Sequence, residues 1–283
     1  MMQFQSLKEQ IDDLRTWADN PQQRVRTGFE SIDTLSGGPA PGEVCMILGR
    51  SFTGKSLVGQ NIIVSNQNLG SIFFSLEMPY IQALGRMYCM WSGTPNTDFN
   101  DMMSKNAVPI HLNDMAEAFP LHRIVDEPGL SLAGMSEYLN KYYEIYAERP
   151  AFVVIDYLEL LGGAKKSGEG WLGTEVQATS LKDWARSEEM RVFVIHQTNM
   201  QEPPHKPPTM NSARGAGYTE ADFVFGMWQP ARNPELAYTD FMSAKDEVHF
   251  NILKNRTHGD SWGGRDLKFA LNGDLTFTDL TGR

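Results

Sequence analysis

The sequence has few cysteines and no long apolar run. Its two cysteines, Cys45 and Cys89, lack C-x-x-C spacing and its six histidines are scattered, so neither a disulfide framework nor a zinc site is predicted. Nowhere do about 18 apolar residues follow one another, and the N-terminal residues carry charges where a signal peptide is apolar. We therefore expect a soluble intracellular protein with no membrane partner.

Basic residues are also in short supply. Lysine and arginine number 25 against 35 acidic residues, a net charge of −10 that disfavours general coating of nucleic acid or anionic membrane. Any contact with nucleic acid must therefore come from a local basic patch. The 283 residues are 41% hydrophobic, which is enough to form a core and excludes disorder as the main state.

Short apolar runs alternate with helical patterns along most of the chain. Buried strands are predicted at 44–48, 72–76, 152–155, 192–195 and 223–228, with helices at 57–68, 132–146 and 174–189. This alternation predicts an α/β fold with a central, mostly parallel sheet flanked by helices. Alternating segments near 248–252 and 267–271 predict antiparallel strands at the C-terminal edge of the sheet. Residues 4–18 have the spacing of one exposed amphipathic helix.

Residues 49–56, G-R-S-F-T-G-K-S, fit the phosphate-binding loop pattern G-x-x-x-x-G-K-[ST]. A chance match in a chain of this length is on the order of 1%, and here a predicted strand precedes the loop and a predicted helix follows it. The lysine would reach the β- and γ-phosphates and the last serine would ligate Mg²⁺. The predicted nucleotide contacts are Gly49, Ser51, Thr53, Gly54, Lys55, Ser56 and Leu57.

Three polar residues follow other predicted strands and should meet the loop at the carboxyl edge of the sheet. Asp156 is the predicted metal partner of Ser56, although an Asp in this position also serves as a turn residue or helix cap. Glu77 could accept a proton from attacking water, or be a helix-capping or solvated acid. Gln197 could sense the γ-phosphate, or be a structural amide, and His196 beside it is interpreted as structural.

Several further segments of the sequence form a set with the phosphate loop. They are 27–33 with the glycine pair 37–38, 73–78, 155–160, 180–182, 196–197 and 254–256. Together these segments resemble the motor domain of DnaB-type replicative helicases, within the RecA-like P-loop NTPases. The resemblance runs from about residue 27 to residue 280, and S-L-E-M and I-D-Y-L are its most specific blocks.

The resemblance implies a homo-oligomer, usually a hexameric ring, that binds ATP and Mg²⁺ between subunits and holds single-stranded DNA. Lys55 and Glu77 then belong to the catalytic set, with Gln197 as the phosphate-sensing switch. Lys254 and Arg256 match cations inserted into the neighbouring subunit's site. Two residues apart on a strand, both would leave it on one side, but taken alone they are equally well solvated charges of an edge strand.

DNA contacts are predicted on the loops after the strands that end at Asp156 and Gln197. Segment 162–170 carries two lysines against one glutamate, and segment 191–217 carries three cations against one glutamate, so both are positive within an acidic chain. The predicted DNA-binding residues are Lys165, Lys166, Asn199, Lys206, Arg214 and Gly215.

The sequence also departs from the family. We divide it into a linker-type helix at 1–26 and a motor at 27–283, without the separate N-terminal domain that helps relatives engage primase or a loader, so those partners stay open. We expect a cytoplasmic protein of a bacterium or a virus-infected cell. Two other interpretations share the phosphate loop: a RecA- or KaiC-like ATPase that is not a helicase, and an ATP-binding loading or assembly factor.

Overall fold

The computed structural model describes residues 6–19, 24–162, 172–199, 202–212, 220–256 and 266–281. The helices are α1 (Leu7–Ala18), α2 (Glu30–Ser36), α3 (Lys55–Ser65), α4 (Tyr80–Ser92), α5 (Asn96–Ser104), α6 (Leu112–Ala118), α7 (Leu132–Tyr146), α8 (Leu172–Ser187) and α9 (Tyr238–Ala244). The strands are β1 (Val44–Gly49), β2 (Ser71–Ser75), β3 (His122–Val125), β4 (Phe152–Asp156), β5 (Arg191–Gln197), β6 (Phe223–Trp228), β7 (Glu247–Asn255), β8 (Leu267–Leu271) and β9 (Phe277–Asp279).

These strands form one sheet in the order β3-β2-β4-β5-β1-β6-β7-β8-β9. The six strands from β3 to β6 are parallel, and β7, β8 and β9 continue the sheet with antiparallel pairing. The predicted mixed sheet is therefore confirmed. Every residue of β1, β2, β4 and β6 is buried, because helices cover the parallel region on both faces and leave no polar side to the strands.

Two apolar clusters lie on opposite faces of the sheet, since successive strand residues point in opposite directions. Ile47 of β1 belongs to the cluster that includes Val58 and Ile62 of α3. Met46 belongs to the other cluster, with residues of α7 and α8 such as Leu139 and Leu181. Helix α3 is therefore held against the sheet from its first turns, which fixes the direction in which the phosphate loop leaves β1.

The element boundaries differ from the prediction in identifiable places. Helix α3 begins at Lys55, within the phosphate loop motif, and β5 begins one residue before the predicted run and ends at Gln197 as predicted. The helices between residues 80 and 118 and the short strands β3 and β9 were not predicted. Strand β3 has four residues, none of them fully buried, so its sequence lacks the apolar run that marks the central strands.

The predicted N-terminal helix corresponds to α1, and its apolar face is exposed. Ser6 and Glu9 form a reciprocal cap, because the Ser6 N–H donates to the Glu9 carboxylate at 2.6 Å and the Glu9 N–H donates to the Ser6 hydroxyl at 3.3 Å. Leu7 is 72% exposed and Leu14 is 61% exposed. No helix in the described part of the chain is long and apolar enough to cross a membrane.

Candidate active site

The carboxyl ends of the parallel strands bring most of the predicted site together. Gly49 at the end of β1 lies opposite Gln197 of β5, and Ser75 of β2 lies opposite Asp156 of β4. A cavity of about 650 Å³ opens at this edge. Among the residues that line it are the predicted site residues Ser51, Gly54, Lys55, Ser56, Leu57, Glu77, Asp156 and Gln197.

Two glycines allow the phosphate loop to form here. A Cβ at Gly49 would lie only 2.9 Å from the Met227 carbonyl oxygen, so a side chain would push β1 away from β6. Gly54 has a φ of 89°, in the left-handed region that other residues rarely adopt. The Lys55 ammonium donates to the Arg50 carbonyl at 2.6 Å, which places it inside the loop. The hydroxyl of Thr53 donates to the same carbonyl, so the loop itself occupies that hydroxyl.

Burial opposes charge on both principal ionisable groups of the site. It lowers the pKa of Lys55 to about 8, against the opposing influence of Asp156, Glu159 and Glu77. It raises the pKa of Asp156 to about 6, with the Ser56 hydroxyl favouring the ionised form and Glu77 disfavouring it. Within the described residues, neither carboxylate oxygen of Asp156 has a well-formed hydrogen bond, so the influence of the Ser56 hydroxyl reflects its proximity alone. Burial therefore disfavours the charged form of both groups, and binding of charged ligands would offset that cost.

Ser56 and Asp156 together fit a divalent cation. Buried carboxylate oxygens are expected to have partners, and a pair without them needs an explanation. A hydroxyl and a carboxylate are oxygen ligands of the kind that Mg²⁺ prefers, and both line the same cavity. The donor set at this edge is therefore consistent with a Mg²⁺-bound nucleotide.

Glu77 and Gln197 flank these groups. Glu77 is exposed, lies two residues beyond β2, and is held by its N–H, which donates to the Asp156 carbonyl at 3.2 Å. The N–H of Gln197 donates to a carboxylate oxygen of Glu159 at 3.2 Å, and the ring of buried His196 lies 3.2 Å from the same oxygen. Glu159 thus fixes the end of β5 and leaves the Gln197 side chain facing the cavity.

Two arginines of the cavity wall were missed from the sequence. Arg86 projects from α4 and is close enough to Asp156 to influence its pKa. Arg232 follows β6, and its guanidinium donates to the Phe52 carbonyl at the tip of the phosphate loop. Arg86 had a detectable signal, because it lies on the amphipathic helix that follows Glu77. Arg232 had none, since only the sheet order places it beside the loop.

The predicted DNA-binding residues are divided between described and undescribed segments. Lys165, Lys166, Arg214 and Gly215 lie outside the described residues. Asn199 adjoins the phosphate loop, because its carbonyl accepts a hydrogen bond from the Arg50 guanidinium at 3.3 Å.

Beyond Asn199, the segment turns away from the loop towards β6. The Gln229 N–H donates to the Pro204 carbonyl at 3.1 Å, and Lys206 nearby is exposed. The segment after β5 therefore contacts the phosphate loop at one point and presents a cation to solvent at another.

Lys254 and Arg256 lie at the opposite edge of the sheet. Lys254 pairs with Val224 near the start of β6, and β7 ends at Asn255, so Arg256 follows the strand instead of belonging to it as predicted. The Arg256 N–H donates to the Asp222 carbonyl at 3.0 Å, which continues the pairing by one residue. Both cations lie near Asp222: burial lowers the pKa of Lys254, the charge of Arg256 lowers it further, and Asp222 opposes the shift.

Comparisons with known proteins agree on one family. The model for the "DnaB-like helicase C terminal domain" matches residues 24–271. A "Probable replicative DNA helicase" of Trieres chinensis is 28% identical over 216 residues, which cover 70% of this chain and 45% of the relative. A "Replicative DNA helicase DnaB" of Geobacillus stearothermophilus is 25% identical over 242 residues, or 81% of this chain and 50% of the relative. The chain spans about half the length of these two relatives.

Solved structures share the fold. One of them, described as an ATPase domain, superposes with a TM-score of 0.77 at 17% identity and covers 98% of this chain and 100% of its own. The structure named "The Structure Of A DnaB-Like Replicative Helicase And Its Interactions With Primase" also gives 0.77 at 17% identity, covering 95% of this chain and 67% of its own.

Proposed function

The chain belongs to the family of DnaB-like helicase C-terminal domains, and from that membership we propose that it is an ATP-hydrolysing motor that assembles into a ring and moves along single-stranded DNA in replication. Its fold is that of a RecA-like P-loop ATPase domain. One observation carries the proposal: a nucleotide cavity lies at the carboxyl edge of the sheet, while the cations matched to catalysis lie at the opposite edge.

Within one subunit, the phosphate loop and the edge residues would bind and activate ATP. Lys55 and the loop N–H groups would hold the phosphates, and Ser56 with Asp156 would hold Mg²⁺. Bound there, Mg²⁺ supplies positive charge to the phosphate oxygens. Glu77 is exposed at the cavity and would accept the proton of the attacking water. Gln197 would report the presence of the γ-phosphate to the segment that follows β5.

The same subunit cannot complete this site with its own Arg256. Cys45 of β1 lies beside Phe223 of β6, and Phe223 lies opposite Asn255 of β7, so Arg256 is near the start of β1. The phosphate loop leaves the other end of β1, about five residues away, which is about 16 Å along a strand. Arg256 would therefore act on transferred phosphate only in the cavity of a second copy, and its contribution to hydrolysis would depend on assembly.

Two further features support assembly and coupling to DNA. The apolar face of α1 is exposed, as expected for a linker-type helix that docks on a neighbouring subunit. The Arg50–Asn199 contact joins the phosphate loop directly to the segment proposed to contact DNA. The proposed DNA contacts are Lys165, Lys166, Asn199, Lys206, Arg214 and Gly215.

Mixing of inactive subunits tests the proposal. Lys55→Ala should abolish hydrolysis at its own site. Arg256→Ala should leave ATP binding intact but abolish hydrolysis at the nucleotide site of the neighbouring subunit. Mixed rings should recover hydrolysis, because each variant supplies what the other lacks. Verified mixed rings without any recovery would refute action in trans.

The wild-type assembly is then tested on DNA. Closed rings, ATP hydrolysis stimulated by single-stranded DNA, and unwinding of forked but not blunt duplex are expected. Filaments with strand exchange would instead indicate a RecA-like protein. ATP binding with neither activity would indicate a loading factor.

A further inference from the structure

We propose that Lys182 and Asp222 form a positioning pair that orients Arg256 towards the nucleotide site of the neighbouring subunit, an inference that rests on the proposed action of Arg256 in trans. Neither residue lines the nucleotide cavity of its own subunit. Asp222 directly precedes β6, and the three side chains share a cleft at the amino edge of the sheet, lined also by Arg186.

Asp222 is the centre of this arrangement. Its side chain is only 4% exposed, and three donors surround it. The Val44 N–H donates to one carboxylate oxygen at 2.8 Å, the Lys182 ammonium donates to the same oxygen at 2.6 Å, and the Arg256 guanidinium lies 3.3 Å from the other oxygen. A buried carboxylate needs donors and paired charges to offset its desolvation, and these three donors provide them.

The two cations are held in different ways. Lys182 is 13% exposed, makes the short contact to Asp222, and also donates to the Gly42 carbonyl at 2.7 Å. Arg256 is 66% exposed, makes the long contact, and is anchored through its backbone N–H to the Asp222 carbonyl at 3.0 Å. Lys182 therefore provides most of the neutralisation of Asp222, whereas Arg256 is directed by it.

This difference suits a cation that must meet an anion on another molecule. A guanidinium carries five N–H donors, and the contact to Asp222 uses one nitrogen, so the exposed remainder can reach phosphate. Without the charge of Lys182, Asp222 would draw Arg256 inward into a bidentate pair. Arg256 would then be less available to the neighbour, although it is chemically unchanged.

The pair also connects two parts of the chain that differ in role. Lys182 lies on α8, the helix that leads into β5 and so to Gln197, while Asp222 precedes β6. The Lys182–Asp222 contact joins residues 40 positions apart in the sequence, and the Asp222–Arg256 contact joins residues 34 positions apart. Both contacts come together only because β1 lies between β5 and β6.

The test uses the assembled protein and three variants. Lys182→Gln removes the charge and should lower kcat for ATP at least about 10-fold, with the KM for ATP within about 2-fold of wild type, because its own nucleotide cavity is intact. Lys182→Arg keeps the charge and should retain most of the hydrolysis. Lys141→Gln, which removes the charge of an exposed lysine on α7 outside this cleft, is the matched control and should hydrolyse ATP as wild type does. ATP binding by each variant, measured with a fluorescent analogue, verifies folding.

Mixing then separates positioning from a structural role. In equimolar rings of Lys182→Gln and Lys55→Ala subunits, about one interface in four pairs an intact nucleotide site with an intact donor, so hydrolysis should reappear. The parallel mixture of Arg256→Ala with Lys55→Ala is the reference. Recovery in both mixtures supports the inference.

The contrary outcomes are distinct. Recovery with Arg256→Ala but not with Lys182→Gln would show that Lys182 acts within its own subunit, which overturns the inference and leaves the proposed function standing. Undiminished kcat for Lys182→Gln rings would overturn it as well. Recovery in neither mixture would overturn action in trans, and the positioning pair with it.

Discussion

Replacement of Asp156 by asparagine is expected to stabilise the metal-free protein while it removes a proposed metal ligand. Asp156 is fully buried, and its oxygens have no hydrogen-bond partner among the described residues. Burial raises the pKa of its carboxyl from 3.8 to about 6. That difference of 2.2 corresponds to about 3 kcal/mol at pH 7, at about 1.4 kcal/mol per pKa unit, by which ionised Asp156 lowers the free energy of unfolding. Asparagine has a similar shape and no charge to desolvate.

The pH dependence has a definite sign. Because the folded-state pKa is raised, the ionised carboxylate destabilises the protein above about pH 6. As the pH falls from about 6 towards 3.8, wild type takes up a proton and regains this free energy. The advantage of Asp156→Asn should therefore fall from about 3 kcal/mol at pH 7 to roughly half at pH 5, and to less than about 1 kcal/mol at pH 4.

Urea unfolding in a chelator, at pH 7 and pH 5, measures this difference. Asp279→Asn is the matched control: burial alone would raise the pKa of Asp279, but hydrogen bonds from Ser31 and Thr281 outweigh it and the pKa is lowered. That variant should lose stability at pH 7. With Mg²⁺ and ATP present, wild type should gain more from ligand binding than Asp156→Asn does. A metal-free Asp156→Asn protein less stable than wild type at pH 7 would refute the electrostatic reasoning.

Three further results are expected. Glu77→Gln should bind ATP as wild type does but hydrolyse it about 100-fold or more slowly in single-turnover assays, and turnover within a few-fold of wild type would remove the general-base assignment. Arg232→Ala should raise the KM for ATP several-fold with little change in kcat, because it frees a phosphate-loop carbonyl, whereas equal losses in Arg232→Lys would contradict a hydrogen-bonding role. Gly93→Ala should lower the free energy of unfolding by about 1 kcal/mol, because of its positive φ alone. Gly38→Ala should lower it clearly more, since its Cβ would also lie 1.9 Å from a backbone carbonyl oxygen. Urea unfolding measures both, and equal losses would contradict the close approach.

The central strands were predictable because burial on both faces leaves a continuous apolar run. Strands β4 and β6 are buried at every residue, and the apolar runs at 152–155 and 223–228 indicated both of them. Strand β3 was missed because it is short and only partly buried, so its sequence resembles a loop. The end of β5 at Gln197 was predicted although His196 and Gln197 are polar, and the ladder opposite β1 continues to that residue.

The residues of the candidate site likewise fall into those that the local sequence predicted and those that it could not predict. Residues 49–56 and Asp156 were found because each stands next to its own strand, and the loop chemistry is contained in one short run of consecutive residues. Arg232 reaches the phosphate loop across 180 positions of sequence, and Lys182 reaches Asp222 across 40. Such contacts depend on which strands are neighbours, and the apolar pattern of a strand does not specify its neighbour.

Sheet order also restricts how copies of this chain can combine. Strand β1 begins beside Asp222 and ends at the phosphate loop, so the nucleotide cavity and Arg256 lie at opposite edges of one sheet. In a two-fold dimer both copies use the same surface patch, so a dimer joined through the cavity face alone would bring no Arg256 to either site. Head-to-tail contact is the arrangement that brings Arg256 of one copy to the cavity of the next, and repetition of that contact gives a closed ring or an open filament. On the proposed function, therefore, a dimer joined through the cavity face alone should bind ATP and fail to hydrolyse it, whereas each added head-to-tail interface should add one working site.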